Sequence, residues 1–253
     1  MSVVFNLFEL AVNCFQGFLM IYFPFKFLGG KFSDKFINNY GVMFSIVLAA
    51  IITIFNYITI FENILAFSYI LLLFVYSHLC LNGKIIYKVY ASIFPILISI
   101  VVSVFTSSFS SVLFDKPVSE IIIQQNWQRI VSVLITQLII FYLVMLSLKM
   151  FNRNKESSYQ LSRGEWLLIT STLLLSIILG TLLMFIAFEN ISGKGRVYVV
   201  LGIISIILIN IIVFYFAIDL GKKNVAKLLN EKLKMQIAYN EQYVKNADRK
   251  SVV

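Results

Sequence analysis

The chain has 253 residues, of which 60% are hydrophobic and only 13% charged, with a mean hydropathy of +0.90 and a formal net charge of +9. A soluble domain of this size carries roughly a quarter of its residues as charges, so composition excludes a water-soluble globule. The long apolar runs equally exclude the alternating strands of a membrane barrel. Nucleic-acid binding is the wrong inference from the positive charge, because Lys and Arg fall between apolar runs and in the tail, where they act as topology signals.

An α-helix needs about 20 largely apolar residues to cross the hydrocarbon of a bilayer. On that measure the sequence predicts an all-α polytopic membrane bundle with seven spans, at 4–23, 41–61, 64–81, 85–113, 130–150, 166–188 and 197–217. The first has no basic leader and is followed by Lys26, so it reads as a retained anchor rather than a cleaved signal. The second and third meet around Glu62 and Asn63, and the third and fourth at "LNGK", an Asn-Gly turn signal. The fourth is the longest and carries Pro95, whose freed backbone groups neighbouring helices or its many Ser residues can satisfy.

Basic residues set the orientation. One set of connections holds Lys26, Lys31, Lys35, Lys84, Lys88, Lys149, Arg153, Lys155 and Arg163, and the tail adds eight more; the alternate set holds only Lys116, Arg129, Lys194 and Arg196. Lys/Arg-rich connections stay in the cytoplasm, which predicts an outer N-terminus and an inner tail. A re-entrant segment among the tightly connected spans would reduce the count to six and move the N-terminus inside.

Within the spans, Glu9, Asn13 and Gln16 follow steps of four and three residues and share one helical face. An ionisable group at membrane depth is a functional candidate; the plainer reading has Glu9 reaching the interface and the amides holding helices together. Ser99, Ser103, Thr106, Ser107, Ser108, Ser110 and Ser111 favour close helix packing over a wet cavity. His78 lacks partner ligands and reads as a packed or interfacial histidine. Cys14 and Cys80 fall at different depths, so no disulfide is expected. Asp219 closes the last span, where Lys222 and Lys223 can neutralise it.

The longest outer connection, "FDKPVSEIIIQQNWQR" from Phe114 to Arg129, reads as an interfacial helix or a lid, with Trp127 suited to the membrane interface. Asn190-Ile191-Ser192 matches a glycosylation sequon, a pattern too frequent to carry weight. "SGKGR" at Ser192 lacks the spacing of a phosphate-binding loop, and no nucleophile elbow or acid/base pair is present, so no catalytic residue or metal site is assigned.

After Asp219 a polar helix follows. Val225, Leu228, Met235 and Tyr239 keep alternating three- and four-residue steps if Lys232 fills one position, and Leu229, Leu233 and Ile237 form a second apolar row. This predicts a cytoplasmic amphipathic or coiled-coil signalling helix over 219–247, in preference to a basic helix lying on anionic lipid. The transmembrane domain then covers 1–218.

Two stretches carry a resemblance. "LFELAVNCFQGFLMIYFPFKFLGGK", with Phe15-Gln16-Gly17-Phe18, Tyr22-Phe23 and Lys26, resembles the first span of AgrC-like peptide-pheromone sensor histidine kinases with a GHKL-type ATPase domain. "LLNEKLKMQIAYNEQYVKNA" is similar to the linker preceding that family's dimerisation helix. The resemblance implies a multi-pass sensor in a bacterial cytoplasmic membrane, a homodimer, an extracellular peptide ligand, and a response regulator reached through a kinase domain. ATP and Mg would belong to that domain; no cofactor is implied for this chain. His78 lies in a span and cannot replace the family's phospho-accepting histidine. Candidate ligand-binding residues are Glu9, Asn13, Gln16, Trp127, Arg129 and Glu189.

The last six residues, Asp248 to Val253, back-translate into a common sequencing-library adapter followed by a stop codon. They are expected to be an artefact that interrupts the chain before the kinase core; re-amplifying the locus and reading past Val253 decides this. Two other functions compete: a small-molecule transporter or substrate-capture subunit, which inverted repeats would support, and a non-catalytic membrane scaffold.

Overall fold

Away from water, a backbone must satisfy its own polar groups, and a continuous helix does so within one segment. The computed structural model describes residues 2–56, 62–153, 162–188 and 193–251, and these residues are helical almost throughout, with no strand. In chain order the helices are α1 (Ser2–Leu28), α2 (Gly41–Asn56), α3 (Glu62–Cys80), α4 (Ile85–Phe114), α5 (Val118–Ile123), α6 (Trp127–Arg153), α7 (Arg163–Phe188) and α8 (Gly193–Ser251), with a 3₁₀ turn at Ile37–Asn39.

Among the described residues, five helices hold stretches long and apolar enough to cross a membrane: Val3–Leu28, Ile85–Phe114, Trp127–Lys149, Gly164–Ala187 and Val197–Tyr243. The second and third predicted spans are shorter. Their apolar parts are Gly41–Ile54 and Ala66–Cys80, and the connection at 57–61 lies outside the described residues. At 1.5 Å per residue the 16 residues of α2 cover about 24 Å, less than the roughly 30 Å of hydrocarbon. The first span is longer than expected, because α1 continues through Pro24 to Leu28.

α4 is the central helix. It packs against α1, α3, α5, α6, α7 and α8, and its small hydroxylated residues allow that crowding. Ser92, Ser99, Ser107, Ser108, Ser110 and Ser111 are all buried. Thr106 meets Thr136 of α6 at 2.6 Å, and Ser110 donates to Ser132 at 3.0 Å. The opposite end of the bundle is aromatic. Phe23 stacks on Phe94 at 5.1 Å, Tyr90 stacks on Phe94 at 5.3 Å, and Trp166 stands edge-on to Tyr87 and Tyr90. Edge-on and offset geometries of this kind suit the ring quadrupoles. One end of the bundle is therefore a packed aromatic core and the other is polar.

At the aromatic end, two connections are tied together. The Lys31 N–H donates to the Cys80 carbonyl (2.9 Å) and the Asn82 N–H to the Gly29 carbonyl (3.1 Å). The predicted Asn-Gly turn is present, with Gly83 at φ +103°, a conformation that favours glycine. Lys88 is buried and donates to the His78 carbonyl at 3.3 Å, in the last turn of α3, where carbonyls lack helical partners. The His78 ring is exposed and stacks on Phe74.

Asn39 organises the connection between α1 and α2. It is fully buried; its Oδ1 accepts from the Phe32 N–H (3.1 Å), and its Nδ2 donates to the carbonyls of Lys35 (2.9 Å) and Ser33. Asn39→Ala leaves these backbone groups without a partner. It is expected to cost about 2 kcal/mol, read as a lower midpoint of thermal unfolding in detergent micelles; an unchanged midpoint would refute this role.

α7 opens on a capping box that the sequence reading did not identify. The Ser162 N–H donates to Glu165 Oε2 (2.7 Å) and the Glu165 N–H to Ser162 Oγ (3.3 Å). α8 packs against α4 and α7 over its apolar part, where Asn210 Nδ2 donates to Ser176 Oγ at 2.8 Å. Asn224 Nδ2 donates to the same Glu165 Oε2 at 3.2 Å. Asp219 pairs with Lys223 at 2.8 Å, one of the two lysines expected beside it. The helix runs unbroken across 218–219 and through Ser251. Beyond Asn224, Val225 is half-buried, while Leu228, Met235 and Tyr239 are exposed, as are Leu229, Leu233 and Ile237.

Candidate functional site

The polar end of the bundle holds a cavity of about 230 Å³ between α1, α4, α5, α6 and α7. One wall is the stripe predicted on the first span, where helical spacing turns Glu9, Asn13 and Gln16 to one side. Opposite stands Arg129 on α6, which forms an ion pair with Glu9. The two side chains are 21% and 24% exposed, so the pair is largely withdrawn from solvent.

Arg129 makes several further contacts. Its guanidinium donates to the Ile122 carbonyl in the last turn of α5 and lies 5.3 Å from the Phe5 ring centroid. Its own N–H donates to Asn126 Oδ1 at 2.9 Å, closing an N-cap at the start of α6. One arginine thus joins α1, α5 and α6. The connection predicted as an interfacial helix or lid is occupied by α5, which buries Val118 and Ile121 and places Ile121 and Ile122 on the cavity wall.

One and two turns below Glu9, the amides are bonded across helices. Asn13 Nδ2 donates to Thr53 Oγ1 of α2 at 3.0 Å. Gln16 Nε2 donates to Ser99 Oγ of α4 at 2.9 Å, and Gln16 Oε1 accepts from Gln137 Nε2 of α6 at 3.1 Å. Gln137 Oε1 is buried with no donor. Ser103 and Ser107 line the cavity, whereas Thr106 and Ser110 face α6. The hydroxyl stripe of α4 therefore serves both packing and a polar wall.

A second cavity of about 280 Å³ adjoins the first and shares Asn13, Gln16, Ser103 and Met184 with it. Along α4 it reaches Ser99 and Ile96, two to three turns further from the Phe114 end than Ser107. Its other walls come from α2, α3 and α7.

Of the six candidate ligand residues, Glu9, Asn13, Gln16 and Arg129 line one cavity. Trp127 faces outward, 61% exposed, with its ring edge-on to Phe114 at 5.2 Å. Glu189, and with it the sequon at 190–192, lies outside the described residues. The sequence reading missed Ser132, Thr136 and Gln137. Their signal was available: Arg129, Ser132 and Thr136 follow steps of three and four, and Gln137 lies eight residues after Arg129, two turns on. Starting the fifth span at Ile130 cut Arg129 from that stripe.

The cavity wall offers an ion pair and several hydrogen-bonding groups to a bound molecule, set among apolar side chains. Comparison with protein-family models, with curated proteins and with solved structures returned no match, so the functional reading rests on this geometry and on the sequence.

Proposed function

We propose that this chain is the membrane sensor module of a peptide-responsive histidine kinase of the AgrC-like kind, with seven spans, its N-terminus outside and its tail in the cytoplasm. The cavity at the Glu9 end then faces the outside, and an extracellular peptide binds there. The observation that carries this reading is the double role of α4: one face lines the cavity, and another packs against α8, which continues into the amphipathic tail. Ligand biases such a bundle only through differential affinity for two packings. The Glu9–Arg129 pair offers two such states, closed on itself or opened onto ligand.

The seam of half-buried Val225 and exposed Leu228, Met235 and Tyr239 is assigned to a second copy of the chain. Single cysteines replacing Leu228 and Met235, in a chain without Cys14 and Cys80, are expected to form disulfide-linked dimers in native membranes. Absence of crosslinks at both positions refutes the signalling helix. A transport reading draws on the same ion pair and cavity. It predicts solute uptake into proteoliposomes that is lost in Arg129→Met, whereas a sensor moves no solute.

A further inference from the structure

We propose that the two cavities are a single ligand site divided by the side-chain amide of Gln16, and that this site takes an amphipathic molecule. The ligand's hydrogen-bonding group occupies the cavity beside Arg129, and its apolar group passes Gln16 into the cavity beyond. This rests on the reading of the Glu9–Arg129 cavity as an outward-facing ligand site, and adds a second subsite, a divider and a ligand class.

The division follows from where the amide bonds. Gln137, which Gln16 holds on one side, lines only the first cavity; Ser99, which it holds on the other, lines only the second. The amide therefore stands at the boundary, fixed by one hydrogen bond into each compartment. Both bonds are neutral and single, so their loss is a modest cost that a ligand can offset.

The two walls differ in charge: the ion pair lines the first, and no charged side chain lines the second. Around the first cavity stand the ion pair and the groups of Ser107, Thr136 and Gln137, beside the apolar Val12, Ile121 and Val133. Gln137 Oε1 is a buried acceptor with no donor, which a ligand N–H or O–H satisfies. Beyond the shared residues the second cavity has Met20, Ile52 and Ile96 among its apolar groups, with Tyr69, Ser99 and Thr181 as uncharged polar ones. Size points the same way. The joined volume, from compartments of about 230 and 280 Å³, falls inside the range of about 300–1,000 Å³ typical of small-molecule sites.

The experiment uses the full chain in proteoliposomes with Cys14→Ser and Cys80→Ala, and the charged, membrane-impermeant thiol reagent MTSET added outside. Ser107→Cys reports the first cavity and Ala66→Cys the second. Ser107→Cys is expected to react readily and Ala66→Cys slowly. Adding Gln16→Ala is expected to raise the Ala66→Cys rate by about tenfold, the order set by losing one or two hydrogen bonds, and to leave Ser107→Cys unchanged. Ser99→Ala removes one of the two anchors and serves as the second variant should Gln16→Ala fail to fold. In the opened background, octanamide is expected to protect Ala66→Cys and acetamide not to.

Equal rates at the two positions in the starting protein, or no response of Ala66→Cys to either variant, overturn the divided site and leave the sensor reading intact. Lack of protection by octanamide overturns the amphipathic ligand. An unreactive Ser107→Cys from the outside overturns both the divided site and the outward-facing cavity beneath it.

Discussion

Arg129→Met is expected to be the most damaging single substitution at the polar end, costing about 2–3 kcal/mol, between the values for exposed and fully buried pairs, because it leaves the partly buried Glu9 carboxylate without its partner. An ion pair on a water-exposed surface is worth at most about 1 kcal/mol. This one differs: both side chains are more than three-quarters buried, and the arginine also holds the end of α5 and the Phe5 ring. Removing the guanidinium unties α1, α5 and α6 together. Glu9→Gln should be milder, since the amide still accepts a hydrogen bond and the arginine keeps the Ile122 carbonyl. The double variant Glu9→Gln/Arg129→Met removes the stranded charge and should recover part of the loss. Unfolding by graded SDS in mixed micelles measures all three. A double variant no more stable than Arg129→Met would show that the charge pair is not the source of the effect.

Gly17→Leu is the second expected large effect, a loss of about 2–3 kcal/mol, at the upper end of what overpacking costs. Any Cβ at Gly17 would stand 2.8 Å from the Ser45 carbonyl oxygen and 3.1 Å from the Ala49 nitrogen. Both are backbone atoms of α2, so no side chain can rotate aside and the two helices must separate. Lipid is as apolar as leucine, so helices in a membrane hold together by close packing rather than by hydrophobic expulsion. Separation forfeits that packing with nothing to replace it. It also pulls on the Asn13–Thr53 hydrogen bond one turn away, and Asn13 is shared by both cavities. Gly17→Ala should cost about 1 kcal/mol by the same clash. If Gly17→Leu unfolds at the wild-type SDS fraction, α1 and α2 do not meet closely at this point.

The helices themselves were readable because hydropathy is a local property. Ile85–Phe114 falls within one residue of its predicted span, and the last apolar helix runs on without a break into the tail. The faces were readable too: steps of four and three put Glu9, Asn13 and Gln16 on one side before any neighbour was known. The limits of α2 and α3 were less legible, since an apolar run does not by itself say how much of it forms helix. The capping box at Ser162 and Glu165 was overlooked although its Ser-x-x-Glu pattern stood in the sequence.

What the sequence determined by itself is therefore an all-helical, strongly apolar chain with polar stripes on particular helices and an amphipathic extension, because each of these depends only on residues within a few turns. The tertiary structure alone decided which stripes meet. Glu9 finds Arg129 across 120 residues and Gln16 finds Gln137 across 121. Sequence separation carries no information about such partners, because helix order around α4 is set by packing. That packing turned a row of candidate residues into a cavity, left Trp127 outside it, and placed Gln16 between two compartments, where its amide bonds to both sides.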